Sequence, residues 1–323
     1  MADKEIKRLV ILAGYDKDNI IDDYVVYFIK ELKKIADIIY VSNCYFNEKE
    51  LSKISNYCIA TICEPHGESD WGSYKRGFRY SRISKLLFNY DYLILVNDSI
   101  YGPFYDLKHI VETMELKNLD AWSMFYCFYD FVNLSHLQGY FVSIKKEVFL
   151  SEDFTFFMYS ITKLHDKLDL IIHYETGLTK FFQKHNYKIG GYFDSLSIKT
   201  ENDSNFPFHD AKEIIKLGFP FLKRSILLNP TVFSFTPDNL NEIIDLVKYS
   251  YDINMIKKNI ERTSNIDFYS LTQKNTKIKE LQNDKEIIYF SLLIINKFSL
   301  FSITGNYKYI KINFLGINIT IKK

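Results

Sequence analysis

Leu93-Ile94-Leu95-Val96-Asn97-Asp98-Ser99-Ile100-Tyr101-Gly102-Pro103-Phe104 is the stretch that decides how this chain is read. Four aliphatic residues without alternation suit a strand buried on both faces, as in a parallel sheet. Three small polar residues follow, and a Gly-Pro pair then stops any regular element. Open α/β sheets bind ligands just beyond the carboxyl ends of such strands. Asn97, Asp98 and Ser99 therefore stand where a site is expected. The plainer reading is a polar turn that Asp98 caps. The stretch alone leaves both readings open.

Toward the N-terminus the pattern supports a layered α/β fold. Leu9-Val10-Ile11-Leu12-Ala13 reads as a first buried strand, ended by Gly14-Tyr15-Asp16. Residues 20–36 place Ile21, Val25, Phe28, Ile29 and Leu32 at helical spacing, with Asp22 and Asp23 early and Lys30, Lys33 and Lys34 late, as the helix dipole favours. Ile38-Ile39-Tyr40-Val41 predicts a second strand running into Ser42-Asn43, residues 51–56 a short helix, and residues 58–62 a third strand. This β-α-β-α-β order predicts a parallel sheet with nucleotide-binding potential. No G-x-G-x-x-G follows the first strand and no P-loop signature occurs, which argues against a dinucleotide dehydrogenase or a P-loop enzyme.

Between the third and fourth strands runs Glu64-Pro65-His66-Gly67-Glu68-Ser69-Asp70-Trp71-Gly72-Ser73-Tyr74-Lys75-Arg76. It predicts a loop entering a helix at roughly 73–88. Free backbone N–H groups there, with Lys75 and Arg76, would suit an anion; an ordinary capped helix with solvated cations fits as well. After the opening stretch, residues 104–114 predict a helix and 122–126 a fifth strand. His136-Leu137-Gln138-Gly139-Tyr140-Phe141 is polar, then strand-like. Residues 170–185 predict an amphipathic helix carrying Glu175, which by default would be a solvated surface residue. Lys223 and Arg224 after a Phe-Pro turn suit a phosphate or plain solvent. Residues 237–260 read as one or two polar helices.

The bulk numbers narrow the function classes. At 323 residues with 47% hydrophobic and 25% charged, the chain is globular rather than disordered. A net charge of +1 gives no basic excess for a nucleic-acid groove, so no nucleic-acid partner is expected. Phe and Tyr make up nearly all of the aromatic residues; a composition bias explains this more simply than a sugar-binding surface. Cys44, Cys58, Cys63 and Cys127 form no C-x-x-C pair and no zinc pattern, so free thiols in a reducing cytoplasm are expected. The N-terminus shows no secretory apolar region, and the nine-residue run 287–295 is too short to span a bilayer. Residues 310–321 alternate about Gly316 as a β-hairpin does, with lysines beside it. The expected organisation is a domain at 1–235, then a helical extension and terminal hairpin at 236–323 packing on it.

Taken in order, several segments resemble the rhamnan-synthesis F family of bacterial glycosyltransferases. They are Asp16, Ile20-Ile21-Asp22-Asp23-Tyr24, Val41-Ser42-Asn43, Asp70-Trp71-Gly72-Ser73-Tyr74-Lys75, the Asn97-Asp98-Ser99-Ile100-Tyr101-Gly102-Pro103-Phe104 motif, His136 to Phe141, Tyr174-Glu175-Thr176-Gly177-Leu178 and Pro220 to Arg224. The likeness covers about residues 8–230, and the Asn-Asp-Ser motif is its most specific part. It implies a GT-A-like α/β fold and transfer of a sugar, typically L-rhamnose from dTDP-L-rhamnose, onto a cell-wall rhamnan or lipopolysaccharide with inversion. Such a transfer needs a general base for the acceptor hydroxyl and positive charge or a metal for the leaving diphosphate.

On this resemblance Glu175 is the expected base. Asp98 stands where GT-A enzymes carry a D-x-D motif and is the candidate ligand of a Mg²⁺ or Mn²⁺ ion. Tyr15, Asn43, Asp70, Gly72, Lys75, Asn97, Asp98, Ser99, Lys223 and Arg224 are the expected nucleotide-sugar contacts, and His136 and Gln138 the sugar or acceptor contacts. The partners implied are a nucleotide-sugar donor and a glycan or lipid-linked glycan acceptor, with a cytoplasmic location and peripheral association with the inner membrane. Two departures touch donor identity. The family's usual Arg-x-Asn and Gly-Tyr-Asp-Phe-Gly are replaced at residues 64–72, and its usual Gln-Ser-Tyr-Phe is Gln138-Gly139-Tyr140-Phe141. A UDP- or GDP-linked donor, a sugar-phosphate nucleotidyltransferase and a non-catalytic assembly subunit remain as rival readings.

Overall fold

A computed structural model describes residues 5–128, 135–196, 210–273, 287–295, 298–305, 309–314 and 317–322, the last four as backbone strands. The apolar runs become strands, all but the short β5 in one mixed sheet. They are β1 (Arg8–Gly14), β2 (Asp37–Ser42), β3 (Ala60–Cys63), β4 (Tyr92–Asn97), the short β5 (Ile100–Tyr101), β6 (Ala121–Cys127), β7 (His136–Leu137), β8 (Phe141–Lys145) and β9 (Ile189–Asp194). The order is β3-β2-β1-β4-β8-β6-β7, with β9 on β6 and β5 outside this sheet. The first four strands are parallel, β8 runs antiparallel to β4 and β6, and β9 returns parallel to β6. This is the mixed α/β sheet flanked by helices that the GT-A-like expectation requires.

The strands β1 and β4 are buried along their whole length, as runs without alternation must be when both faces are covered. One face packs the helix α1 (Asp23–Lys33), which buries Tyr24, Val25, Phe28, Ile29 and Leu32. The other packs the helix Ser69–Ile83 through Trp71, Tyr74 and Phe78. That helix starts four residues earlier than its sequence pattern suggests and ends at Ile83, and a separate 3₁₀ turn follows at Leu86–Asn89. Gly77 lies against the sheet so closely that a Cβ would sit 2.5 Å from Ile11 Cγ2.

Two elements depart from their sequence reading. The helices Pro237–Val247 and Ile253–Thr263 look polar in sequence, yet Leu240, Ile243, Val247, Ile256 and Ile260 join the same core as α1 and β4. Their narrow apolar stripes are sufficient to bury one face each. The C-terminal hairpin is found, as Tyr309–Phe314 paired antiparallel with Ile317–Lys322, but it forms half of a four-stranded meander that begins with Ile287–Ile295. The apolar run 287–295 is thus a strand.

Candidate functional site

The carboxyl ends of β1, β2 and β4 and the start of the Ser69–Ile83 helix converge on one end of the sheet. Asn97 is the last residue of β4 and lies beside Ala13 of β1 in register. Its backbone N–H donates to the Tyr140 carbonyl at 3.2 Å, just before β8 begins. Its side chain divides its capacity. Nδ2 donates to Asp70 Oδ2 at 2.6 Å, while Oδ1 accepts from Ser99 N at 3.1 Å and Ser99 Oγ at 2.6 Å. The turn that the plainer reading expects is therefore present, but it is closed by Asn97, and Asp98 is left to other work.

Asp98 anchors the first loop. Its own N–H donates to Ala13 O at 3.1 Å, and its Oδ2 accepts the Tyr15 N–H at 3.0 Å. Burial pushes its carboxyl up to about 7; Arg224 and the Tyr15 amide oppose that rise, and Asp70 and Asp16 add to it. Among the described residues Oδ1 accepts no hydrogen bond. A small cavity of about 320 Å³ opens next to this loop, lined by Gly14, Tyr15, Asn43, Ser69, Asp70 and Ser73.

Lys223 and Arg224 reach the same place through a strand pair that the sequence does not announce. Leu222–Lys223 pairs antiparallel with β5, Lys223 opposite Ile100. Gly102 makes that approach feasible: its φ is +121°, and a Cβ there would lie 2.4 Å from the Pro220 carbonyl. Arg224 N–H donates to Ser99 O at 3.0 Å, Lys223 Nζ lies 3.3 Å from Ser99 Oγ and 4.0 Å from the centre of the Tyr140 ring, and the Arg224 guanidinium stacks 5.4 Å from the centre of Tyr24. Two cations thus flank the Asn97-Asp98-Ser99 turn.

Glu175 arrives from the far side. Its helix is not regular: Ile171–Thr176 form one wide π-helical turn between Lys167–Leu170 and Gly177–Lys184. Such turns redirect side chains and recur at functional sites. Glu175 Oε2 accepts the Gly139 N–H at 3.4 Å and lies 3.5 Å from His136 Nε2, with its side chain 26% exposed. Trp71 closes the space behind it, tilted 5.5 Å from Tyr174. Tyr74 hydroxyl donates to the Gly139 carbonyl at 3.0 Å. Residues 139 and 140 therefore link Glu175 directly to Asn97.

Of the expected nucleotide contacts, Tyr15, Asn43 and Asp70 line the cavity, and Asn97, Asp98, Ser99, Lys223 and Arg224 form the adjoining turn. Gly72 and Lys75 do not line it. Lys75 Nζ donates to Glu68 at 2.9 Å and to the Ile161 carbonyl at 2.6 Å, and Gly72 faces Glu68 and His66. A helix beginning at Ser69 rotates both away from the cavity. Gln138 is nearly fully buried and donates through Nε2 to Cys127 Sγ at 3.1 Å, so it is part of the wall.

His66 escaped the sequence reading. Its Nδ1 accepts the Glu68 N–H at 3.1 Å, which leaves the ring proton on Nε2 to bond Ser73 Oγ at 3.0 Å. Asn43 Oδ1 in turn accepts the His66 and Gly67 N–H groups, each at 2.8 Å. No spacing rule finds such a network, because its members are joined by a loop's backbone.

Among the described residues no three His, Cys, Asp or Glu side chains converge as a metal cage. Hard cations are often held by one or two carboxylates with phosphate and water oxygens. Asp98, with its Oδ1 and with Asp70 close enough to raise its pKa, matches that sparser kind of donor set. All four cysteines are free thiols. Among the described residues no helix is long and apolar enough to cross a membrane.

The sequence profile of the family described as rhamnan synthesis protein F matches residues 38–294. The uncharacterized protein y4gN of Sinorhizobium fredii is 24% identical over 186 residues, which is 57% of this chain and 48% of that protein. The chain thus spans about half the length of that curated relative. Core-mannan synthase A from Aspergillus fumigatus, in its Mn/GDP form, superposes with a TM-score of 0.32 at 10% identity, over 49% of this chain and 64% of that one. A cytidylyltransferase from Leptospira borgpetersenii gives 0.35 at 11% identity, over 82% of this chain and 100% of that one. Both scores lie below 0.5, and neither likeness bears on what this chain does.

Proposed function

The chain belongs to the rhamnan synthesis protein F family, and from that premise we propose that it is an inverting glycosyltransferase. It moves a sugar, L-rhamnose from dTDP-L-rhamnose, onto a growing bacterial surface glycan. The observation that carries this reading is the link Glu175–Gly139–Tyr140–Asn97. It brings a partly exposed carboxylate and a diphosphate-type cation pair to one end of the sheet, although they lie far apart in sequence.

Each group then has a role that its surroundings suit. The nucleoside enters the cavity between Tyr15, Asn43, Asp70 and Ser73. Lys223 and Arg224 face the diphosphate, where charge builds as the glycosidic bond breaks. Arg224 is held by stacking on Tyr24, and Lys223 over Tyr140, so both are oriented before the donor arrives. Glu175, oriented by the Gly139 amide, takes the proton of the acceptor hydroxyl as that oxygen attacks the sugar carbon from the face opposite the leaving group. Asp98 would hold a divalent cation, which would supply positive charge for the leaving diphosphate.

Release of nucleotide from dTDP-L-rhamnose, UDP-sugars and GDP-sugars, with and without Mn²⁺, tests the reading. Turnover with dTDP-L-rhamnose that falls on Asp98→Ala is expected. A folded protein that turns over none of these donors, and whose nucleotide binding is untouched by Asp98→Ala, would sink it.

A further inference from the structure

The loop that holds Asp98 is itself held by a helix far along the chain. Residues 14–22 carry three carboxylates in seven positions: Asp16, Asp18 and Asp22. Unscreened, they would repel one another and open the loop. One side chain, Arg262 on the helix Ile253–Thr263, reaches all three. Its Nε donates to Asp22 Oδ1 at 2.9 Å, one terminal nitrogen donates to Asp18 Oδ2 at 3.1 Å and Asp16 Oδ1 at 3.3 Å, and the other bonds both Asp16 and Asp22. The guanidinium's five N–H donors in a planar fork let one side chain serve all three carboxylates in fixed directions.

The loop is pre-shaped to receive it. Asp16 Oδ1 also accepts the Asp18 and Ile20 N–H groups, at 2.9 and 3.1 Å. Asn259, one turn earlier on the same helix, donates to Asp22 Oδ2 at 2.6 Å and accepts from the Tyr101 hydroxyl at 2.5 Å. The C-terminal helix thus grips both the first loop and β5, the two segments between which Asp98 lies. Immediately before Asp16, Tyr15 gives its amide to Asp98 and its side chain to the cavity rim.

We propose that Arg262 is a positioning residue: by clamping Asp16, Asp18 and Asp22 it fixes the Tyr15 amide on Asp98 and so shapes the nucleotide cavity. This rests on the nucleotide-sugar reading above. The helix at 253–263 is then part of the site's framework. Lys258 on the same helix makes a separate exposed pair with Asp23 at 2.8 Å, which helps dock the helix but does not touch the loop.

Two readouts separate the inference from the reading it rests on. One is amide hydrogen exchange over residues 15–22, which needs no ligand; the other is calorimetric affinity for dTDP. Arg262→Gln should speed exchange at the Tyr15 amide and weaken dTDP about tenfold. Arg262→Lys, which keeps the charge and the fold but not the fork, should fall between Arg262→Gln and wild type. Lys258→Gln should change neither readout. Unchanged exchange in both Arg262 variants overturns the clamp, and faster exchange with unchanged affinity overturns its bearing on the cavity. Affinity that falls as much in Lys258→Gln reduces Arg262 to general helix docking. A wild-type protein that binds no dTDP, UDP or GDP removes the nucleotide reading and this inference with it, while the exchange difference still shows the clamp itself.

Discussion

Glu175 and Gly139 are in direct contact: the Gly139 amide points at Glu175 Oε2 from 3.4 Å, and a Cβ at residue 139 would lie 3.2 Å from Glu175 Cγ and 3.3 Å from Trp71 Cζ2. Trp71 is packed and cannot yield, so the flexible glutamate must. Gly139→Ser is expected to displace the Glu175 carboxylate by a few tenths of an ångström. Turnover should fall several-fold while donor KM and the melting temperature stay near wild type. Steady-state kinetics of the variant check this, and a loss confined to KM would refute it.

Glu175→Gln keeps the size of the side chain and can still accept the Gly139 amide through its carbonyl oxygen. It cannot take a proton. We expect dTDP affinity within about twofold of wild type and turnover lower by about 10²-fold or more, the usual scale for a general base. Retained turnover would remove Glu175 as base and leave the rest of the site standing.

The sequence makes the sheet legible because buried parallel strands carry their signature locally. The residues 9–13, 38–41 and 93–96 announce themselves as strands, and the positions of Asn97, Asp98 and Ser99 follow from where β4 ends. What is illegible depends on contacts between distant segments. Local pattern alone leaves Lys223 and Arg224 open between phosphate and solvent, the family resemblance singles them out, and the pairing of Leu222–Lys223 with β5 that brings them to the turn is visible only in the fold. Lys75 looks like a phosphate ligand until the helix start at Ser69 turns it to Glu68. Arg262 sits in a helix whose sequence has no motif, and its importance exists only through three aspartates some 240 positions away.

Asp98 should make the protein less stable as the solution becomes more alkaline. Its carboxyl is raised to about 7 in the folded chain from an ordinary value near 3.8. A raised pKa contributes stability that is present below the unfolded value and lost as pH climbs through the folded one. Asp98→Asn removes this cost and can still accept the Tyr15 amide. Without added divalent cation, the variant should melt higher than wild type at pH 8 and level with it at pH 4. Equal melting temperatures at both pH values would contradict the assigned burial.

His66 predicts the opposite limb of the pH profile. Its ring is fully enclosed, and burial, with Arg76 next, lowers its pKa to about 4, against the opposing pull of Glu68 and Glu64. In the unfolded chain the same ring protonates near 6.5. The neutral ring's contribution is therefore complete above pH 6.5 and is lost as pH falls from 6.5 through about 4. Protonation would also place a second donor, at Nδ1, against the Glu68 N–H that it now accepts, and so break the turn that shapes Asn43 and the cavity wall. The His66 ring proton resonances should show no titration between pH 8 and 5.5. Urea midpoints should fall more steeply from pH 6.5 to 4 in wild type than in His66→Gln, by up to about one proton's worth of slope. An ordinary titration near 6.5 would mean that the ring is solvated, and the His66–Ser73 bond would not be the wall of the site.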